Sequence, residues 1–277
     1  MTKPGIVIPI DKPLQWTSFQ VVNKLKWHIK RTFGIKKFKI GHAGTLDPLA
    51  SGLLLVCIGS ATKRIDELQS GDKLYTGTMV LGATTPCFDM EQPIDRFYPF
   101  DQLTPQSIDE ARRQFVGDIE QIPPMYSAVK VNGQRAYVSA RDGVVQDILP
   151  KKITIHDFQI TAFRPGNGEP TTATAEIMAN EAKQLHPITE RHLYKQPLGS
   201  VPPQLPQLDF AIRCGKGTYI RSIARDMGEA LGTGAFLSAL RREQIGDYTL
   251  LNAIDIDQIE TVITPDNPEF RLLSDLT

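Results

Sequence analysis

A tight acidic turn followed by a solid apolar run is the feature that most limits how this chain can fold. The stretch "KIGHAGTLDPLASGLLLVCIGSATK" places Gly41, Gly44 and Gly52 around one carboxylate, Asp47. Glycine adopts backbone conformations that other residues avoid, and an Asp-Pro pair favours a turn. The run from 53 to 58 has the length and composition of a buried strand. The sequence therefore predicts a carboxylate held on a shaped turn beside the core.

The composition is typical of a globular protein. The chain has 277 residues, enough for one large domain or two small ones, with 41% hydrophobic and 22% charged residues. The three cysteines, Cys57, Cys87 and Cys214, are odd in number and lack CxxC spacing. We therefore expect reduced, mostly buried thiols in a cytoplasmic protein. The N-terminus has no signal-peptide pattern, and no apolar run approaches a membrane span, so we expect no membrane association.

Positive charge is concentrated in one part of a chain whose net charge is zero. No Asp or Glu occurs between Asp11 and Asp47, whereas that interval contains the basic residues Lys12, Lys24, Lys26, Lys30, Arg31, Lys36, Lys37 and Lys39. A basic stripe of this kind is typical of a surface that binds the phosphates of a nucleic acid. The alternative is a solvated helix face whose acidic partners are supplied by distant parts of the chain.

Local patterns predict a mixture of strands and helices. A helix capped by Thr17-Ser18 should end at Gly34, and a second should run from Pro105 through Phe115. Strand composition occurs in "DKLYTGTMVLG" and "KKITIHDFQITAF", and Asn132-Gly133 favours a hairpin turn. Because strands and helices follow each other without a regular βαβ rhythm, the sequence predicts an α+β fold around a mixed sheet.

A proline-rich segment interrupts this pattern in the second half of the chain. We expect residues 165–208 to form a surface insertion, with one strand at Thr171–Met178. Elsewhere the chain shows no internal repeats. We therefore expect a single domain, 1–277, that carries this insertion.

The stretch "CGKGTYIRSIARDMGEALG" contains a second group of functional candidates. Thr218 is a possible cap for a helix that ends before Gly232, so Arg221 falls in the first helical turn. A cation there opposes the helix dipole at a cost of roughly 0.3–1 kcal/mol, and it needs an anionic partner. Two partners are open: the nearby Asp226, or Asp47, which an adjacent arginine would keep ionised.

Other motif interpretations fail. No GK[ST] follows "GHAGTLDP", so the turn is not a P-loop, and the five histidines are scattered without metal-ligand spacing. A glycosidase acting on a small nucleoside would need a second carboxylate opposite Asp47. Asp89 and Asp226 are available for that role, but the spacing selects neither.

Four segments together resemble one known enzyme family. "DKPLQWTS", "GHAGTLDPLASGLLLVCIGSATK", "QIPPMYSAVKVNGQRAY" and "GKGTYIRSIARDMGEALG" are similar to motifs of the TruB-type tRNA pseudouridine-55 synthases, in the same order over residues 8 to about 250. The "QIPPMYSA" segment resembles the bacterial stand-alone branch. This resemblance implies a pseudouridine synthase fold, with a mixed central sheet flanked by helices and loops and an RNA cleft across the sheet.

The resemblance also implies an activity and roles for individual residues. The family isomerises uridine 55 in the TΨC loop of tRNA on a flipped-out nucleotide, without a metal or organic cofactor. The motifs make Asp47 the nucleophile and give Arg221 and Tyr75 catalytic roles. They place the remaining base- and substrate-binding residues at His42, Tyr75, Tyr219 and Leu240.

Partners follow from the same resemblance. It implies that the protein binds tRNA without a guide RNA or protein partner, and we expect Lys24, Lys26, Lys30, Lys36, Lys37 and Lys39 to contact the RNA backbone. Family members commonly carry a C-terminal PUA domain, and the sequence after 250 is too short to predict a complete one.

Each residue role has a simpler alternative, and so does the activity. Tyr75 and Leu240 could be core residues, and His42 could be a loop residue without a function. A tRNA-binding folding helper without chemistry would explain the basic stripe. It would not explain a carboxylate placed close to RNA phosphates, because binding alone gains nothing from that charge.

Overall fold

The computed structural model describes residues 5–126, 130–131, 134–135, 148–166 and 201–276. Its strands are β1 (Gly5–Lys12), β2 (Ile40–His42), β3 (Ala50–Gly59), β4 (Lys73–Leu81), β5 (Ala83–Thr84), β6 (Arg96–Phe97), β7 (Gly117–Gln121), β8 (Lys130–Val131), β9 (Gln134–Arg135), β10 (Lys151–Arg164), β11 (Gln207–Cys214), β12 (Ala235–Ile245), β13 (Tyr248–Thr249) and β14 (Ile254–Asp255). Its α-helices are α1 (Ser18–Phe33), α2 (Ile65–Ser70), α3 (Pro105–Arg113), α4 (Ile220–Leu231) and α5 (Ile259–Val262). Short 3-10 helices occur at Ser60–Arg64, Leu250–Asn252 and Arg271–Asp275.

The chain forms two compact units. The first contains residues 1–75 and 241–277, and the second contains residues 76–240. The chain passes between the units within β4 and within β12.

The strands of the first unit form a mixed arrangement. β1 pairs antiparallel with β3 along its whole length, from Gly5↔Gly59 to Lys12↔Gly52. On its other side β1 pairs parallel with β14, and β2 adds an antiparallel partner to β3. The run 53–58 is fully buried in β3, which confirms the buried strand predicted beside the acidic turn.

Helix α1 forms where its caps and periodicity predict it. Thr17 provides a capping box with Gln20, and Gly34 ends the helix at a φ of 66°. Its buried positions, which include Val22, Leu25 and Ile29, recur at three- and four-residue spacing and face the core of the first unit. The C-terminal segment completes that core with the buried side chains of Ile256, Ile259, Ile263, Phe270, Leu273 and Leu276.

The second unit is built on antiparallel pairs. β10 pairs with both β7 and β11, and Arg164↔Gln207 closes the β10–β11 ladder. The ends of the proline-rich segment are therefore adjacent in space, although 167–200 and the strand predicted at Thr171–Met178 lie outside the described residues. β8 and β9 pair antiparallel across the predicted hairpin, whose turn residues also lie outside the description.

The remaining boundaries differ slightly from the predictions. α3 ends at Arg113, two residues before Phe115, and Gln207 and Leu208 already belong to β11. The described cysteines are free and buried, as expected from their spacing. No described helix has both the length and the apolar character that crossing a membrane requires.

Gly52 allows β3 to approach the strand that follows the second unit. Its φ is +100°, and a Cβ at this position would lie 2.8 Å from the backbone nitrogen of Arg242. Real Cβ atoms do not approach backbone so closely, so a side chain here would displace β12 at a point next to the acidic turn.

We expect Gly52→Ala to destabilise the protein more than Gly34→Ala, with urea-unfolding midpoints as the measurement. Gly34 also has a positive φ, but a Cβ there would meet no atom of the described residues within 4 Å. Its substitution should cost only backbone strain, on the order of 1 kcal/mol, whereas Gly52→Ala adds the clash with Arg242. Equal losses in the two variants would show that the close approach contributes nothing.

Candidate active site

The Asp47 turn connects β2 to β3, and the first residue of helix α1 holds its backbone. The buried Ser18 hydroxyl accepts a hydrogen bond from the Leu46 amide at 2.9 Å and donates one to the Leu46 carbonyl at 3.1 Å. The Asp47 carbonyl accepts from the Ala50 amide at 3.1 Å. The backbone on both sides of Asp47 is therefore held, and its half-buried side chain extends from a rigid support.

A buried lysine holds the part of the turn that follows Asp47. Nζ of Lys12, at the end of β1, donates to the carbonyls of Trp16 at 2.6 Å, Pro13 at 2.9 Å and Pro48 at 3.4 Å. The Gln15 amide donates to the same Pro48 carbonyl at 2.8 Å. Lys12 was grouped with the basic stripe by sequence, and that assignment is wrong, because its side chain is fully buried.

A buried arginine holds the part of the turn that precedes Asp47. The Arg242 guanidinium donates from Nε to the Leu53 carbonyl at 2.8 Å and from Nη2 to the Gly44 carbonyl at 3.0 Å. Longer contacts of 3.5 Å join Nη1 to the Thr45 carbonyl and to the hydroxyl of Tyr75. One side chain thus ties together the turn, the start of β3 and the tyrosine on β4.

These cations shape the electrostatics around Asp47. Burial lowers the pKa of Lys12 to about 8, the Asp47 carboxylate opposes that change, and the nearby Arg242 adds to it. Lys12 is still protonated at pH 7. Two buried positive charges therefore lie close to the turn.

His42 and Tyr75 lie within this same cluster. Burial, followed by the Arg242 charge, lowers the pKa of His42, and the Gly44 backbone opposes the change, so the ring is neutral at pH 7. Tyr75 is 9% exposed on β4. This burial agrees with the interpretation of Tyr75 as a strand-core aromatic, and its role in stacking on the target base stays a prediction.

The second cluster surrounds Arg221 on α4. Its side chain is 5% exposed, and Nη1 lies 3.6 Å from a carboxylate oxygen of the equally buried Asp89. The guanidinium also donates to the carbonyls of Cys87 at 3.3 Å and Tyr126 at 2.9 Å. Asp226, the partner suggested by its closeness in sequence, instead binds Arg225 at 2.7 Å, so that alternative is wrong.

The start of α4 is clamped by a residue that sequence reasoning did not single out. Tyr219 is the N-cap, and Thr218 donates its hydroxyl to the Gly215 carbonyl, so the predicted Thr218 cap is wrong. The buried side-chain amide of Gln121 accepts from the Tyr219 amide at 2.8 Å and donates to its carbonyl at 3.1 Å. Gln121 thereby does what a capping side chain would otherwise do.

The other predicted residues occupy simpler surroundings. Leu240 is half-buried in β12. Lys24 lies 3.8 Å from Asp257 and beside the ring of Trp16, so part of its charge is balanced. Lys26, Lys30, Lys36, Lys37 and Lys39 are at least partly exposed, and no described carboxylate lies within ion-pairing distance of them.

Lys12, Asp89 and Arg242 contribute to these clusters but were not predicted as site residues. Each is a buried charge, and their partners are mostly backbone carbonyls or residues distant in sequence. Nothing in local spacing distinguishes them from exposed charges. The one available signal was Lys12, which directly follows an apolar strand.

Comparisons with known proteins show the family of this chain. The model of the TruB family pseudouridylate synthase N-terminal domain matches residues 30–182, and the tRNA pseudouridylate synthase B C-terminal domain matches 221–274. The tRNA pseudouridine synthase B of Flavobacterium johnsoniae is 45% identical over 92% of this chain and 95% of its own. That of Phocaeicola vulgatus is 42% identical, covering 92% of each chain.

Solved structures show the same fold at lower identity. A chain of a Cbf5–Nop10–Gar1 complex matches 98% of this chain with a TM-score of 0.59 and 22% identity. A chain of an H/ACA RNP bound to a substrate RNA containing 2′-deoxyuridine matches 96%, with a TM-score of 0.55 and 21% identity. This chain spans 59% and 57% of their lengths, respectively. The fold is a pseudouridine synthase fold, as the motifs predicted, and the chain belongs to the TruB family of pseudouridylate synthases.

Proposed function

We propose that this protein isomerises uridine 55 in the TΨC loop of tRNA to pseudouridine, with Asp47 as the nucleophile. The observation that carries the proposal is the Asp47 turn, which is bonded on both sides and lies near two buried cations. Relatives at 45% and 42% identity, matched over nearly their whole length, are tRNA pseudouridine synthases B. We propose a cytoplasmic enzyme that acts without a guide RNA or protein partner.

The reaction needs a carboxylate at a flipped-out nucleotide. Attack by Asp47 forms a covalent bond to the nucleoside and allows the N1–C1′ bond to break. The base then turns so that C5 bonds to C1′, and the bond to Asp47 breaks, which restores the free carboxylate. C5 loses its proton to solvent, N1 gains one, and the product is an isomer of the substrate.

Residues around the turn suit the steps before attack. A flipped-out base loses the energy of stacking on its neighbours in the RNA. Tyr75 offers an aromatic ring on which the base can stack instead. His42, held neutral at pH 7, can occupy an apolar gap in a base stack without the cost of burying a charge. We propose that Tyr219 and Leu240 bind the target nucleotide. Because the predicted residues fall in both compact units, we propose that both are needed for one catalytic domain.

We propose that Arg221 has a catalytic role, as the family motifs predict. Its guanidinium is held in place by Asp89 and by two backbone carbonyls, which fixes its orientation within the second unit. A planar guanidinium binds several acceptors at once in a geometry that lysine cannot reproduce. Because these contacts fix the orientation of its guanidinium, Arg221 is suited to a role that depends on geometry, which a mobile surface arginine is not.

We expect Asp47→Asn to abolish turnover and to leave tRNA binding largely intact. The amide is nearly isosteric but a poor nucleophile, so activity should fall about a thousandfold or more. Tritium release from tRNA labelled at uridine C5 measures turnover, and filter binding measures affinity. Residual activity within about tenfold of the unmodified protein would contradict the assignment. Normal tRNA binding by a wild-type protein that forms no pseudouridine would favour the folding helper.

Arg221→Lys should lower the single-turnover rate by about a hundredfold while changing tRNA affinity much less. Lysine keeps the charge but loses the planar, multi-donor geometry. The matched control is Arg225→Lys, on the same helix, whose partners are Asp226 and the Ile122 carbonyl. If both variants react at the normal rate, Arg221 serves only to hold the second unit together, which thermal unfolding would reveal separately.

Neutralising the exposed lysines should reduce the salt dependence of tRNA binding. Each lost phosphate contact should lower the log–log slope by roughly 0.9 at most, so the triple variant Lys30→Gln, Lys36→Gln, Lys37→Gln should show a clear decrease. Lys151→Gln with Lys152→Gln, exposed lysines on β10, provides the control. An unchanged slope in the triple variant would mean that the stripe faces solvent in the complex.

A further inference from the structure

Helix α1 exposes two large aromatic side chains on its outer face. Phe19 is 69% exposed and Trp27 is 54% exposed. They lie eight residues apart, which is slightly more than two helical turns and about 12 Å along the axis. The helix does not need either ring for its own packing, because its buried positions lie on the opposite side.

The surroundings of these rings are basic. The Arg31 guanidinium lies 5.2 Å from the centroid of the Trp27 ring, and Lys30 is exposed close to it on the helix surface. No acidic residue occurs in the interval that contains α1 and the lysines after it. An exposed aromatic beside unbalanced cations is the combination that binds unpaired nucleotides, since bases stack on the ring and phosphates meet the charges.

The face begins at the Asp47 turn. Ser18, the first residue of α1, makes both hydrogen bonds to Leu46, and Phe19 is the next residue along the helix. The path from Phe19 to Trp27 therefore leads from the proposed catalytic turn outward along α1. The exposed rings therefore lie on the helix that holds the backbone next to Asp47.

Other partners fit this face less well. A membrane-bound helix needs a broad apolar face, and the apolar residues of α1 are already used in the core. A protein interface usually has an apolar centre depleted of charge, whereas these rings stand apart among Lys26, Lys30 and Arg31.

We propose that the outer face of α1, which already carries part of the basic stripe, also binds bases, and that Phe19 and Trp27 stack unpaired bases of the substrate RNA. This inference rests on the proposed function for the identity of the RNA. The cations on the same face, Lys26, Lys30 and Arg31, hold the phosphates that connect those bases. The surface would add affinity and direction to binding without taking part in the chemistry.

Binding can be tested separately from turnover in the Asp47→Asn background. We expect Trp27→Ala and Phe19→Ala each to weaken binding of a tRNA transcript by roughly tenfold, and Trp27→Phe to restore most of the loss. The salt slope should stay unchanged in all three, because no phosphate contact is removed. Leu251→Ala, which truncates an apolar side chain that is 92% exposed elsewhere in the first unit, should bind normally.

Two further measurements identify the partner. The chain has two tryptophans, so the fluorescence of the wild type minus that of Trp27→Phe reports Trp27. That signal should be quenched by the tRNA transcript, and Trp27→Ala should not weaken binding of a fully paired RNA duplex. Normal tRNA affinity in both alanine variants would overturn the proposal, and so would a signal that responds to anionic lipid vesicles but not to RNA. Because every arm measures binding, failure of the proposed reaction would leave these outcomes readable.

Discussion

The hydrogen bonds of the buried Arg242 guanidinium are the interactions on which the proposed catalytic turn depends. A buried cation is stable only when its donors are satisfied, and here the carbonyls of Gly44 and Leu53 satisfy two of them. The turn must therefore keep a conformation in which both carbonyls can accept hydrogen bonds from the arginine. The bond network thus fixes the shape of the backbone just before Asp47, and the Tyr75 hydroxyl lies at its edge.

Lys12 and Ser18 complete this support from the other side. Lys12 bonds the Pro48 carbonyl and Ser18 bonds both backbone groups of Leu46, so the residues on either side of Asp47 are held by side chains. Preorganisation of this kind removes the cost of ordering the nucleophile when the substrate arrives. It also gives a reason for burying two charges, Lys12 and Arg242, so close to the turn.

The second unit uses the same principle around Arg221. Asp89 and two carbonyls hold its guanidinium, while Gln121 fixes the first turn of α4 through the backbone of Tyr219. The unfavourable position of a cation at a helix N-terminus is thereby offset by a buried carboxylate. A cation that is kept at a helix N-terminus despite this electrostatic cost is a candidate for a role that depends on its exact orientation.

Sequence patterns alone determined the elements and the motif residues. The Thr17 capping box, the Gly34 end of α1, the buried strand after Asp47 and the first-turn position of Arg221 all follow from spacing within a few residues. The family resemblance predicted the fold, which is confirmed, and it assigned the nucleophile to Asp47, which stays a prediction. Local rules were sufficient there because caps, turns and periodicity act between neighbours in the chain.

Only the tertiary structure decided which charges are buried and what they hold. Lys12 looked like one more member of a basic stripe, and Arg221 had a carboxylate nearer in sequence than Asp89. Their true partners are chosen by strand pairing and packing, which bring Lys12 beside Pro48 and Arg242 beside Gly44 across long separations in the chain. A buried charge takes whatever acceptors the fold places within reach, so its partners cannot be read from its sequence neighbours.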